Sequence, residues 1–379
     1  MRERTVSIQI YRDSLYLIVI YSPIILPIYI RIVRSRKLPE VKFSKIEETL
    51  KIPDKLAKFV NLHTSNGDYM RNMFSEQFGY GHREILLKYC GLDFSTQLLG
   101  NLQHGVMLRH SYLDFRTPRY FGMRQSQFWV FSKEYEKLGR SLGNENVTAI
   151  GAPWLYLRDS VECETQPIQK PEGILVMPGH SSGPYNSTAS IQQKRARAKA
   201  FRQIVGTQKA TVCLHASDFC NPDTTEAFLD EGFRVICPGS SDALPFWTES
   251  GNRVRTLHKI MSLMHSHTHL LTERFGTHIF YAIDMGLSIG IFPEISKLSS
   301  ISDLSGRKSV LDFSITDKEE FNYLKENIPD ALNQFTESPK YQEISNLELG
   351  RDAVMTPTEL LRTLEYRKNV YPIGSIQPW

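Results

Sequence analysis

Glu273, Gly276, Thr277 and His278 share one run, Glu-Arg-Phe-Gly-Thr-His, which closes a short apolar stretch and opens a helical one. A carboxylate at the end of a strand suits a ribose diol, and free N–H groups around Gly276 and Thr277 offer positive partial charge to a phosphate. His278 belongs to the same helical turn. The combination asks for a nucleotide, although strand, polar turn and helix are also the ordinary joint of any parallel sheet. A second loop, Pro178-Gly179-His180-Ser181-Ser182, carries an imidazole and two hydroxyls that could hold phosphate oxygens or simply cap the next helix. Ser240 stands in a third loop of this kind, Pro238 to Asp242. His104, before Gly105, could serve as general base toward an acceptor hydroxyl because imidazole titrates near neutrality; Asp114 and His110 are rivals, and a structural histidine is the competing reading. His265, His267 and His269 alternate, but His265 falls in the preceding helix and no cysteine or carboxylate cluster supports them, so no metal site is expected.

The elements that must position these groups follow from periodicity. A strand ends at Thr272, and Phe275, Ile279, Phe280 and Ile283 recur at helical spacing up to a Gly286 cap and a second strand through Ile289 and Ile291. Upstream, Ile174–Met177, Thr211–His215 and Phe233–Cys237 read as strands, each opening into a polar loop. Helices are expected near Ser190–Val205, Pro222–Glu231 and Arg253–His265. Strands alternating with helices mean a parallel sheet of Rossmann type. The loops at 178–182, 216–218, 238–242 and 273–277 then gather on one rim, where open α/β sheets bind ligands. Earlier in the chain, Leu98–Val106 reads as a candidate strand and turn, and Phe128–Phe131 and Val147–Ile150 are strand candidates, with a helix over Ser132–Leu142. Residues 159–172 are polar, hold two prolines and lack periodicity, which marks a linker. The expected division is a membrane-associated segment at 1–37, an acceptor-side domain at 38–158, the linker, a nucleotide domain at 173–316, and a partly helical tail at 317–379 that packs across both.

Composition bounds the rest. With 379 residues, 41% hydrophobic and 23% charged, the chain has material for two cores. A net charge of +4 without a dense basic block beyond the N-terminus gives no nucleic-acid footprint. Five cysteines, an odd count without a CxxC pair, fit reduced thiols in a cytosolic domain. Residues 15–30 are uncharged between Arg12 and the cluster Arg31, Arg34, Arg36 and Lys37. This is a membrane segment, short of the roughly 20 residues of a comfortable span. Pro23 and Pro27 suit a re-entrant bend as well as a single helix, and the heavier basic flank places the remaining chain on the cytoplasmic side of the cytoplasmic membrane.

Asn101-Leu102-Gln103-His104-Gly105, the stretch Phe128 to Glu134 leading to Ile150-Gly151-Ala152-Pro153-Trp154, Met177-Pro178-Gly179-His180-Ser181, and Glu273-Arg274-Phe275-Gly276-Thr277-His278 together resemble bacterial capsule and lipopolysaccharide glycosyltransferases of the GT-B fold, including the sialyl- and Kdo-transferase groups. The resemblance covers most of residues 98–365. It implies two Rossmann-like domains around a cleft, metal-independent transfer, no permanently bound cofactor, and a nucleotide-sugar donor with a glycan or lipid-linked acceptor. It also matches His180 to the histidine that CMP-sugar enzymes place near the donor phosphate, and Thr277 to their later Ser/Thr contact. Those enzymes follow the histidine with proline; Ser181 here leaves UDP- and GDP-sugars open beside CMP-sugars. A glycerol- or ribitol-phosphate transferase and a non-catalytic membrane scaffold are the alternatives.

Overall fold

The computed structural model describes residues 80–92, 96–98, 100–103, 105–106, 127–141, 145–162, 170–179, 185–187, 189–219, 221–238, 256–296, 301–303, 313–364 and 366–367. The segment 1–37 lies outside them, as do His104, His110, Asp114, His180, Ser181, Ser182 and Ser240. Among the described residues no helix is long and apolar enough to cross a membrane.

The first unit contains helix α1 (His82–Tyr89), strands β1 (Gln97–Leu98), β2 (Asn101–Leu102) and β3 (Phe128–Val130), helix α2 (Lys133–Ser141), strand β4 (Val147–Ala149) and helix α3 (Pro153–Glu162). β2, β3 and β4 form a parallel sheet in that order. α3 carries the chain through Asp159 to Glu162 before the second unit begins.

That unit runs through β5 (Ile174–Val176), β6 (Tyr185–Ser187), α4 (Ile191–Val205), β7 (Ala210–Cys213), α5 (Ala216–Phe219), α6 (Pro222–Asp230), β8 (Arg234–Ile236), α7 (Thr256–Ser266), β9 (His269–Thr272), α8 (Thr277–Asp284) and β10 (Ser288–Ile291). There follow α9 (Pro293–Ser296), β11 (Ile301–Asp303), α10 (Phe313–Asn327), β12 (Phe335–Thr336), α11 (Gln342–Leu349), α12 (Pro357–Thr363) and β13 (Tyr366–Arg367). The six-stranded sheet has the order β12-β10-β9-β5-β7-β8. Its five long-range neighbours β5, β7, β8, β9 and β10 are parallel, and β12 closes one edge antiparallel. Counted along the chain, the parallel strands lie 3-2-1-4-5, which is the Rossmann order, and the direction of winding reverses between β5 and β9.

Local chemistry explains the elements. β5 and β10 are buried at every position, as parallel strands covered on both faces must be. Ser190 and Gln193 form a reciprocal capping box at the start of α4, and Asn221 caps α6 with Pro222 in its first turn. α8 starts differently, from Gly276 in an extended conformation with no side-chain cap.

One apolar cluster joins the units, running from Leu102, Trp129 and Phe131 through Trp154 and Leu157 to Leu270, Ile279, Phe280 and Ile289. At its edge the Trp154 indole stacks on Tyr281 at 4.2 Å and 11°. Its N–H donates to Asp284 at 2.8 Å. Arg158 and Arg351 converge on the same carboxylate, and Arg351 also grips Asp159 at 2.9 and 3.0 Å. Burial pushes the Asp284 carboxyl upward while Arg158, Trp154 and Arg351 pull it back. The chain beyond β10 touches both units: β12 extends the large sheet, β13 pairs with β1, and Leu349 accepts from the Ala152 N–H at 2.8 Å. Gly350 adopts φ +70°, and any Cβ there would run into the Phe131 carbonyl.

Candidate functional site

The reversal between β5 and β9 brings the loop after Val176 beside the loop after Thr272. This is the crevice in which open α/β sheets bind ligands. Thr272 is fully buried and closes the turn into α8: its hydroxyl donates to Arg274 O at 3.3 Å, accepts from Arg274 N at 3.4 Å, and lies 3.1 Å from His278 Nε2. The His278 ring covers Gly276, where a Cβ would come within 2.6 Å of it.

Glu273 follows, only 2% exposed. Its carboxylate takes Arg197 from α4 through both oxygens, with Nε donating to Oε2 at 3.1 Å. Oε1 also accepts from the Gly179 N–H at 3.1 Å, and Arg197 Nη2 donates to Gly179 O at 2.6 Å. The pair therefore staples the β5 loop to the β9 loop through both backbone groups of Gly179. Burial pulls the Arg197 pKa down, but Glu273, with Asp218 beyond it, outweighs burial and holds the guanidinium above its ordinary value. The carboxylate read from sequence as a ribose acceptor is thus engaged within the protein.

Arg274 is the neighbouring cation. Its side chain lies across Gly179, where a Cβ would come 2.7 Å from Arg274 Cδ, and it remains partly exposed. Among the described residues, no acid and no hydrogen-bond acceptor engages its guanidinium. The amino end of α8 opens beside it.

The first unit reaches the same place. Val106 N–H donates to Thr277 Oγ1 at 3.0 Å. Gln103, fully buried, shapes this loop by accepting from the Phe131 N–H at 2.8 Å and donating to Gly105 O at 2.5 Å. The loops at the carboxyl ends of both sheets therefore meet on α8.

Glu273, Gly276, Thr277 and His278 lie along the turn that opens α8, and Glu273 and Arg274 bring Gly179 of the β5 loop against it. His265 lies in α7, and His267 is held between Leu263 O at 2.7 Å and Thr211 Oγ1 at 3.0 Å. Among the described residues no group of three ligating side chains could hold a metal ion. Sequence reasoning passed over Arg274, Arg197 and Gln103. Arg197 had a signal: Lys194, Arg197, Ala198, Phe201 and Val205 form the buried stripe of α4. A cation in the apolar phase of a helix calls for a buried acid.

No protein-family model and no curated protein matches the chain. Among solved structures it is similar to the UDP-GlcNAc 2-epimerase from Neisseria meningitidis bound to UDP-GlcNAc, at 14% identity over 70% of this chain and 69% of that one, with a TM-score of 0.30.

Proposed function

We propose that this chain is a glycosyltransferase of GT-B-like architecture, binding a nucleotide-sugar donor at the switch point between β5 and β9. One observation carries the reading. The strand order reverses at the point where α8 opens with no side-chain cap and Arg274 presents a guanidinium that no acid among the described residues engages. Backbone N–H groups at a helix start and an unpaired guanidinium form a phosphate receptor, and the same groups stabilise negative charge developing on a leaving phosphate.

In the proposed reaction the acceptor hydroxyl oxygen attacks the anomeric carbon, whose bond to the donor phosphate oxygen breaks. A base takes the hydroxyl proton, a role assigned to His104 with Asp114 as its rival. The nucleotide departs with the bonding electron pair, its charge met by Arg274, the α8 amino end and Thr277. His278, His180, Ser181, Ser182 and Ser240 complete the phosphate-side loops in this proposal. Glu273 acts first as the clasp that sets the two loops, and a ribose contact would use its remaining lone pairs. The uncharged run at 15–30 supports a lipid-linked acceptor at the membrane surface.

A thermal-shift panel of CMP, CDP, UDP and GDP tests the site, because a ligand that binds the native state raises apparent stability. One nucleotide should stand out. If none raises the melting temperature of the full chain, the reading fails. Release of CMP from a CDP-alditol would identify a phosphoalditol transferase instead.

A further inference from the structure

Gly105 and Val106 belong to the loop that leaves β2, yet both meet the first residue of α8. The Val106 N–H gives its hydrogen to Thr277 Oγ1 at 3.0 Å. A threonine oxygen has two acceptor sites and one proton, so accepting from Val106 leaves that proton free to donate elsewhere. Gly105 lies at φ +151°, and a Cβ built on it would stand 2.5 Å from Thr277 Oγ1. Two features therefore act together: a backbone donor that fixes the hydroxyl oxygen, and a missing side chain that permits the approach. Gln103 holds the loop in this shape from within the first core, bonded to Phe131 N and Gly105 O.

We infer that Gly105–Val106 is a positioning element of the transfer reaction, through which the first unit docks on the phosphate end of α8 and sets the acceptor side against the donor. This rests on the nucleotide reading of the crevice. α8 is short, eight residues, and its far end is tied to the first unit as well, through Asp284 to Trp154 and Arg158. The first unit thus registers on both ends of one helix. A phosphate that accepts a hydrogen bond from the Thr277 hydroxyl is then joined to the same group that Val106 holds, so donor binding and placement of the acceptor side become one event.

The test is amide exchange of the full chain, read at the segment carrying Val106, with and without CMP, UDP or GDP. Thr277→Ser keeps the acceptor oxygen and should match the parent within about twofold, whereas Thr277→Val removes it and should speed exchange about tenfold, the equivalent of one hydrogen bond. Gly105→Ala should behave as Thr277→Val does. A nucleotide that raises the melting temperature should slow Val106 exchange in the parent and in Thr277→Ser, but not in Thr277→Val. Equal exchange in the parent and Thr277→Val overturns the dock. A nucleotide that binds without slowing Val106 overturns its coupling to the donor. If no nucleotide shifts the melting temperature, the nucleotide reading and the coupling fall together, while the difference between the Ser and Val variants still decides whether the contact exists.

Discussion

Arg197 and Glu273 face each other inside the protein, with the carboxylate fully buried and the guanidinium side chain 11% exposed. They come from different elements, α4 and the β9 loop, and both also bond the backbone of Gly179 in the β5 loop. The relationship fixes the spacing of the two loops that flank the strand reversal. The residue that shapes the crevice, Glu273, is distinct from the cation that faces it, Arg274.

Glu273→Ala should therefore act on stability before it acts on binding. It leaves a buried guanidinium without its counter-charge, and losses on the order of 3–5 kcal/mol are usual for such a break. Replacing both partners, as in Arg197→Met with Glu273→Leu, removes the stranded charge and should recover most of that loss. Urea titration of the parent and the two variants measures the difference. A Glu273→Ala protein as stable as the parent would show that the pair contributes little to the fold.

Arg274→Ala should do the opposite. No described acid pairs with this side chain, so truncation should change stability by no more than about 0.5 kcal/mol. Nucleotide affinity should fall by roughly 1.5–3 kcal/mol, the range for hydrogen bonds to charged groups. Arg274→Lys keeps the charge but loses the planar fork, and should recover only part of the affinity. Titration calorimetry with the preferred nucleotide distinguishes the three proteins.

Periodic stretches and a parallel sheet were legible in the sequence; the strand order and the short pairings were not. The strand ending at Thr272, α8 with Gly286 beyond it, and the Ser190 start of α4 all follow from local patterns of apolar spacing and capping. The short pairings did not show. β12 has two residues, and β6 pairs with β11 across more than a hundred positions; neither is long enough to display a period of two. The site was half visible for a related reason. A rim of polar loops follows from strand direction alone, but which acid meets which base depends on strand order. Nothing local in Glu273 points to Arg197, which lies 76 positions away.

His267 gives the fold a pH dependence. Burial lowers its pKa below the ordinary value, Arg234 lowers it further, and Leu263 O and Glu172 counteract in part. In the unfolded chain the ring titrates near 6.5. The folded state therefore binds fewer protons than the unfolded state once pH drops below that value. By linkage, stability rises with pH across this window: it is fully present above about pH 6.5 and is lost as pH falls toward the folded pKa. Denaturant midpoints measured from pH 7.5 to 5 should show that decline. His267→Gln should flatten it, and an unchanged slope in the variant would assign the dependence to other groups.

Trp154 tests how the first unit is held against α8. Its indole makes two separable contacts: the stack on Tyr281 and the N–H bond to Asp284. Trp154→Phe retains much of the ring stack and removes the donor. The Asp284 carboxylate would keep Arg158 and Arg351, so the loss should be that of one hydrogen bond to a charged group, about 1.5–3 kcal/mol. Trp154→Ala also opens a cavity in a fully buried position and should cost on the order of 3–5 kcal/mol. Asp284→Asn leaves the two guanidinium groups facing a neutral amide, and the effect of Trp154→Phe should shrink in that background because the acceptor is no longer charged. A double-mutant cycle over Trp154→Phe and Asp284→Asn measures this coupling directly. Additive effects would mean that the indole holds the units together by packing on Tyr281 alone.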